Sequence, residues 1–300
     1  VALVSGLVSF VTGTLLARQR ARVDAQQQYV LQARQRLYAA IGPLRFQLLI
    51  ACRELASRVE ALSKGRYDTR VDGYFGQNTL YRLLRPLTLV ELVERQTNYV
   101  DFSVDSASLV LLRFQNACYE ALTGGGQVLR GLELDWTREA QHVFKGRLQQ
   151  AANLLIVDGE PPRCARFDEF PAILDRARRD DPTGGLARLA SLVDGVTPGR
   201  VPVFLCRLVA YGYVANWLLG EEGAAAGSRP VPYPVINMLE AANDTGVAAI
   251  AGEMPTRLVT MIETTPGRDS SNKRWRLAKR IDRTATNWVT LDRRRTHLGR

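Results

Sequence analysis

The chain has 300 residues, 46% of them hydrophobic, and carries a net charge of +10. That apolar content is enough for one large core or two small ones and excludes a generically disordered chain. The four cysteines, Cys52, Cys118, Cys164 and Cys206, are far apart, which excludes a local metal knuckle or a CxxC redox pair and leaves reduced, structural thiols as the expectation.

The charge is unevenly laid out. Residues 1–62 hold eight arginines against Asp24, Glu54 and Glu60, a net of +5, and residues 268–300 hold 11 basic side chains against three aspartates, a net of +8. The stretch between them is near neutral. A nucleic-acid-binding core would carry the basic footprint itself, whereas two basic ends suit a protein that faces anionic lipid head groups.

Residues 1–17 contain no Asp, Glu, Lys, Arg or His. As a helix they would cover about 25 Å, slightly short of the roughly 30 Å hydrocarbon core, so they form a marginal membrane anchor. The chain does not open on Met, and upstream residues would lengthen the run. Arg18 can also snorkel its head to the interface. A secretory signal would carry its positive charge before the run; here Arg18, Arg20 and Arg22 follow it. By the positive-inside rule these arginines hold the rest of the chain in the cytoplasm. A buried helix at the start of a soluble domain is the bland alternative. Within the run Ser5, Ser9, Gly13 and Ala17 recur at every fourth position, a ladder of small side chains over which two such helices could approach and self-associate.

From residue 18 to 62 the pattern is that of an arginine-rich stalk helix about 68 Å long. Val23, Val30, Leu37 and Leu44 repeat at seven, a weak coiled-coil signal, and Gly42 with Pro43 predicts a kink or break. The arm before it is polar, rich in Gln and Arg, and should be exposed; the arm after it is apolar enough to pack into a domain. Residues 65–76 read as a loop. A helix from Asn78 carrying Leu80, Leu84, Leu87 and Val93, bent at Pro86, and a second from Asp105 or Ser106 through Leu122 should form an antiparallel pair. Gly124, Gly125 and Gly126 end the second helix; a phosphate loop would need a strand before them and a Lys-Ser/Thr helix after, and neither is present.

A third long helix is expected from Asp135 to about Val157. It places Asp135, Glu139 and His142 on one face, a set that fits general acid and base work but equally a solvated charged face. Cys118 with His142 as nucleophile and base is a further arrangement that spacing alone leaves open. Short helices should cover residues 167–178 and 185–193, joined to what precedes by a turn-rich connection at 158–166. Residues 203–219 are the second most apolar run. Arg207 within it argues for a central buried helix over a second span. Residues 220–267 mix a proline-rich linker, a helix near 236–242 and a possible strand at 257–262.

In the tail, Leu277, Ile281, Ala285, Trp288 and Leu291 make one apolar stripe, surrounded by Lys273, Arg274, Arg276, Lys279, Arg280 and Arg283. A basic amphipathic helix with tryptophan suits a membrane interface. The expected architecture is therefore mainly α: a transmembrane anchor (1–17), a stalk kinked near 42–43 (18–62), a cytosolic helical domain with little or no sheet (63–219), a linker and mixed segment (220–267) and a basic tail (268–300). The lipid or polyanion contacts fall on Arg18, Arg20, Arg22 and the six tail cations. No catalytic residue, cofactor or metal set is assigned. The functional expectation is a membrane-anchored interaction, sensor or effector module, homo-oligomeric through its anchor or stalk, contacting lipid and an unidentified protein partner. Two alternatives stand beside it: a tethered hydrolase or transferase with a site between helices, and a tethered nucleic-acid binder using the tail.

Overall fold

A computed structural model describes residues 2–66, 68–97, 108–124, 126–132, 141–223, 230 and 232–265, with the backbone alone for 2–16, 97, 108 and 109. The chain divides into two units, Val1–Pro266 and Gly267–Arg300; the amphipathic tail expected at 268–300 lies outside the described residues. The first unit is mainly α-helical. Its longest element, α1 (Ala2–Ser63), runs through Gly42 and Pro43 without a break. A proline inside a helix frees the carbonyl four residues earlier. Here that carbonyl belongs to Ala39, and both Ala39 and Pro43 are exposed, so the freed carbonyl is on the solvent side of the helix.

The second half of α1 is one wall of a four-helix bundle completed by α2 (Tyr74–Thr97), α3 (Ser108–Thr123) and α7 (Pro202–Glu222). The directions follow from paired side chains. Arg58 Nη2 donates to Asn78 Oδ1 at 2.7 Å and Arg85 Nη1 to Glu54 Oε2 at 3.0 Å, so α2 runs antiparallel to α1. Arg45 pairs with Glu222, and Tyr211 lies in electrostatic reach of Cys52 and Cys118, so α7 is antiparallel to both α1 and α3. The Tyr119 hydroxyl donates to Glu91 and Gln115 to Glu94, closing α3 back onto α2 as the antiparallel pair expected from sequence. Leu37, Leu48, Leu55, Leu84, Phe114 and Val214 are fully buried inside; each contributes about 1.5–3 kcal/mol relative to an exposed side chain.

Among the described residues α7 is the one helix long and apolar enough to cross a membrane, and 78% of its apolar window is buried inside the protein. That burial, on α1 and α3, makes it the central helix of the bundle. Gly212 is required by packing: an added Cβ would overlap the Tyr233 hydroxyl, which donates to Val209 O at 3.2 Å.

Two layers flank the bundle. Against α2 lie α4 (Lys145–Asn153), the two-residue strands β1 (Ile156–Val157) and β2 (Arg163–Cys164), paired antiparallel, then α5 (Phe170–Asp180) and α6 (Gly185–Val193). Against α7 and α3 lie α8 (Val235–Glu240), α9 (Thr245–Ala251) and α10 (Met254–Thr264). Three expectations need correction. Within the described residues the long third helix shrinks to α4: residues 142–144 are not helical, and Phe144 precedes α4 in a β conformation. The end of the expected third helix is instead β1, which pairs with β2 in the turn-rich connection, a pair buttressed by a bidentate Arg163–Glu169 contact at 2.7 Å. The possible strand at 257–262 is instead α10, whose buried Met254, Leu258, Met261 and Ile262 fall on one helical face.

Candidate functional site

Two places were singled out by sequence, and the outer half of α1 is the first. Arg18, Arg20 and Arg22 are exposed on it. At 100° per residue Arg18 and Arg22 lie on one side and Arg20 on the other, so the three form a collar around the helix rather than a stripe. Ala17 is exposed; Ser5, Ser9 and Gly13 are helical in backbone, and their side chains lie outside the described ones. Further along, Val23, Leu31 and Phe46 are 52%, 59% and 56% exposed. A shallow depression on this part of the helix is lined by Val23, Gln26, Gln27, Val30, Leu31 and Arg34. The heptad positions Val23 and Val30 thus border open surface, while Leu37 and Leu44 enter the bundle core. Lys273, Arg274, Arg276, Lys279, Arg280 and Arg283 lie outside the described residues.

The second place is His142. Of the acidic residues read beside it, Asp135 and Glu139 lie outside the described residues. What the structure brings to it is Arg207, the residue whose cost in lipid argues against a second span. Arg207 is 0% exposed. Its Nη1 donates to Leu122 O at 2.8 Å and Gly124 O at 2.9 Å, and its Nη2 faces His142 Nδ1 at 3.2 Å. The last carbonyls of α3 have no partner within their own helix. The guanidinium supplies one and places a cation at the negative end of the helix dipole. Desolvation lowers the arginine's pKa, opposed by the charge of Glu120, whose carboxylate lies against Gly124.

The residue before the histidine does the complementary job. Gln141 Oε1 accepts from the amides of Val203 at 2.9 Å and Phe204 at 3.2 Å, so buried donors at the start of α7 that lack an intrahelical partner are capped from outside the helix. Adjacent residues Gln141 and His142 therefore both meet α7, at its first amides and at Arg207, and Arg207 carries the link on to the end of α3. The sequence signal for this was indirect: an arginine early in an apolar helix, and a triple glycine with no side chain to cap the helix before it.

The enzyme alternative asks for polar groups converging in a deep pocket. A cavity of about 170 Å³ between α4, α5 and α6 has Gln150, Asp181 and Gly185 in its lining, bonded to one another. Gln150 Nε2 donates to Asp181 Oδ2 at 3.2 Å, and its Oε1 accepts from Gly185 N at 3.1 Å. All four cysteines are buried free thiols. Burial pushes Cys164 up to about 11 and Cys206 up to about 12, and raises Cys118, beside Cys52, well above the ordinary range. A nucleophile needs its thiolate, which these surroundings disfavour. Among the described residues no cluster of three or more metal-binding side chains forms. Comparison with protein-family models, curated proteins and solved structures gives no match.

Proposed function

We propose that the chain is a single-pass membrane protein whose helical body, held on the cytoplasmic side, acts as an interaction, sensor or effector module. Residues 1–17 are its anchor, and Arg18, Arg20 and Arg22 meet the phosphate head groups. The observation that carries this reading is the continuity of α1. One helix joins the uncharged run at its start to Leu37, Leu48 and Leu55 in the bundle core, with a ring of arginines at the boundary of the run. At 1.5 Å per residue, residues 18–36 hold the body about 28 Å from the end of the apolar run. The charge-free length of that run and the cations that follow it support insertion with the body on the cytoplasmic side. The basic amphipathic sequence of the tail supports a second lipid contact. Self-association through the small-residue ladder and the adjoining exposed heptad positions completes the proposal.

Membrane fractionation of the whole chain and of a variant lacking residues 1–17 tests it. Recovery of the whole chain with membranes after carbonate washing, and of the shortened form in the soluble fraction, is expected. A whole chain that stays soluble overturns the reading. Replacing Arg18, Arg20 and Arg22 by glutamate should invert or scramble the side on which the body is digested by added protease.

A further inference from the structure

Residues 1–62 hold eight arginines, yet one line along α1 avoids them. Leu31, Gln35, Ala39, Gly42, Phe46 and Ile50 follow one another at spacings of three and four, so they share a face of the helix. Leu31, Phe46 and Ile50 are exposed, as are Gln35 and Ala39. The charged residues between 31 and 50, Arg34, Arg36 and Arg45, fall to either side of the line, and Arg45 reaches across to Glu222 of α7. This is the side of α1 turned away from the buried Leu37, Leu48 and Leu55, and so from Val23 and Val30 as well. Gly42 has no reason within its own bundle to be glycine. Its backbone is helical, and an added Cβ would meet nothing within 4 Å. An internal glycine weakens a helix, and what it offers in return is close approach of another backbone.

We infer that a second copy of the chain covers this face: two α1 helices lie parallel about a two-fold axis along the membrane normal, Gly42 against Gly42, with Phe46 and Ile50 of each copy against the other. The inference rests on the reading of residues 1–17 as an anchor, which makes the two helices parallel. A two-fold contact sets each residue beside its own copy, so a charge at its centre repels itself. The uncharged line from Leu31 to Ile50 meets that condition, and a partner recognised through charge would find no counter-charge on it. The line has one acidic residue nearer the anchor, Asp24, one turn from Arg20, so the two copies can exchange Arg20–Asp24 pairs there. Because α1 is unbroken, the line continues through Ala17 to Gly13 and Gly6, repeating about every 3.7 residues, close to the helix's own 3.6. A strip about 10 Å wide over residues 31–50 gives two copies about 600 Å² of contact in total, and one continued to residue 6 gives about 1,300 Å². A stable interface buries about 1,200–2,000 Å², so stalk and anchor have to pair together.

Single cysteines placed in the full chain, expressed in membranes and oxidised with copper phenanthroline, test the contact. The four native cysteines are buried, so the unaltered chain is the blank. Gln35→Cys and Ala39→Cys should give disulfide-linked dimer. Arg36→Cys and Gln47→Cys, exposed but off the line, should give at most about a tenth as much, because a disulfide needs Cβ atoms about 3.5–4.5 Å apart. Gly42→Leu, for which the bundle itself has room, should leave the circular dichroism unchanged and cut the Ala39→Cys dimer about tenfold by overpacking the close approach. A membrane-bound chain with no dimer at 35 and 39, or with as much at 36 and 47, overturns the contact and leaves the anchor standing. An undiminished dimer in Gly42→Leu overturns it as well. A chain recovered wholly in the soluble fraction overturns the anchor, and the parallel pair with it.

Discussion

The two parts of α1 share one unbroken backbone and opposite surroundings. From Leu37 onward a face of the helix is covered by α2 and α7, and Leu37, Leu48, Cys52, Leu55 and Val59 are all fully buried. From Ala17 to Tyr29 every residue is exposed, including Val23 and Tyr29. Isolated helices owe little to intrinsic propensity, and most helical stability in proteins comes from packing one apolar face. The inner part is thus held by its neighbours and the outer part by the helix it continues. This also explains why Pro43 is tolerated. It falls where the inner part is already fixed and on the side that faces water.

The largest effect that separates the parts is core deletion. Leu55→Ala should destabilise the unit by about 2–5 kcal/mol, because the site is closed on all sides, whereas Leu31→Ala, on open surface, should stay within about 0.5 kcal/mol. Comparable losses in urea melts of the two variants would break the comparison. Next comes charge. Arg45→Ala leaves Glu222, only 7% exposed, without its partner and should cost about 3 kcal/mol; Arg22→Ala should cost nothing measurable in the same melts. Closer to the α7 side of the bundle, Gly212→Ala should cost about 1–3 kcal/mol by overpacking against Tyr233. Tyr233→Phe removes the overlapping oxygen and should recover part of that loss in the double variant.

The smallest effect is one of acid on an exposed contact. Arg163, and then the amide of Arg166, hold the Glu169 carboxyl at about 2, down from 4.5. A lowered carboxylate pKa contributes stability that is complete above the unfolded value and is lost as pH falls through the folded one. Local opening of the β1–β2 pair should therefore set in between pH 4.5 and 2, visible as faster exchange of the Ala165 amide, which bonds to Leu155 O at 2.7 Å. Glu169→Gln should show the faster exchange already at neutral pH.

Much of the fold was legible because apolar periodicity reports which face is covered. The run from Asp105 or Ser106 through Leu122 holds α3, Gly185 to Val193 is α6 to the residue, and the buried arginine marks α7 as part of the bundle. Misreadings arose where local composition and packing disagree. Leu258, Val259, Thr260 and Ile262 have strand-like chemistry, but Pro255 in the first turn and burial at 254, 258, 261 and 262 make the segment helical. The helix expected from Asp135 to about Val157 passes through Val143, where Gln141 is in fact turned to cap another element. Of the candidate site, Arg207 stands out in sequence by its cost in lipid, while its role at the end of α3 belongs to the tertiary structure. A cap contributed by a residue 85 positions away leaves no periodic trace.

The unbroken course of α1 also gives the molecule a fixed phase. A helix turns about 100° and climbs about 1.5 Å with each residue, so the bundle is indexed in angle and height to residues 2–17 through the segment 18–36. Adding one residue there would swing the body by more than a quarter turn while barely lifting it. Adding seven would restore its azimuth to within about 20° and raise it by about 10 Å.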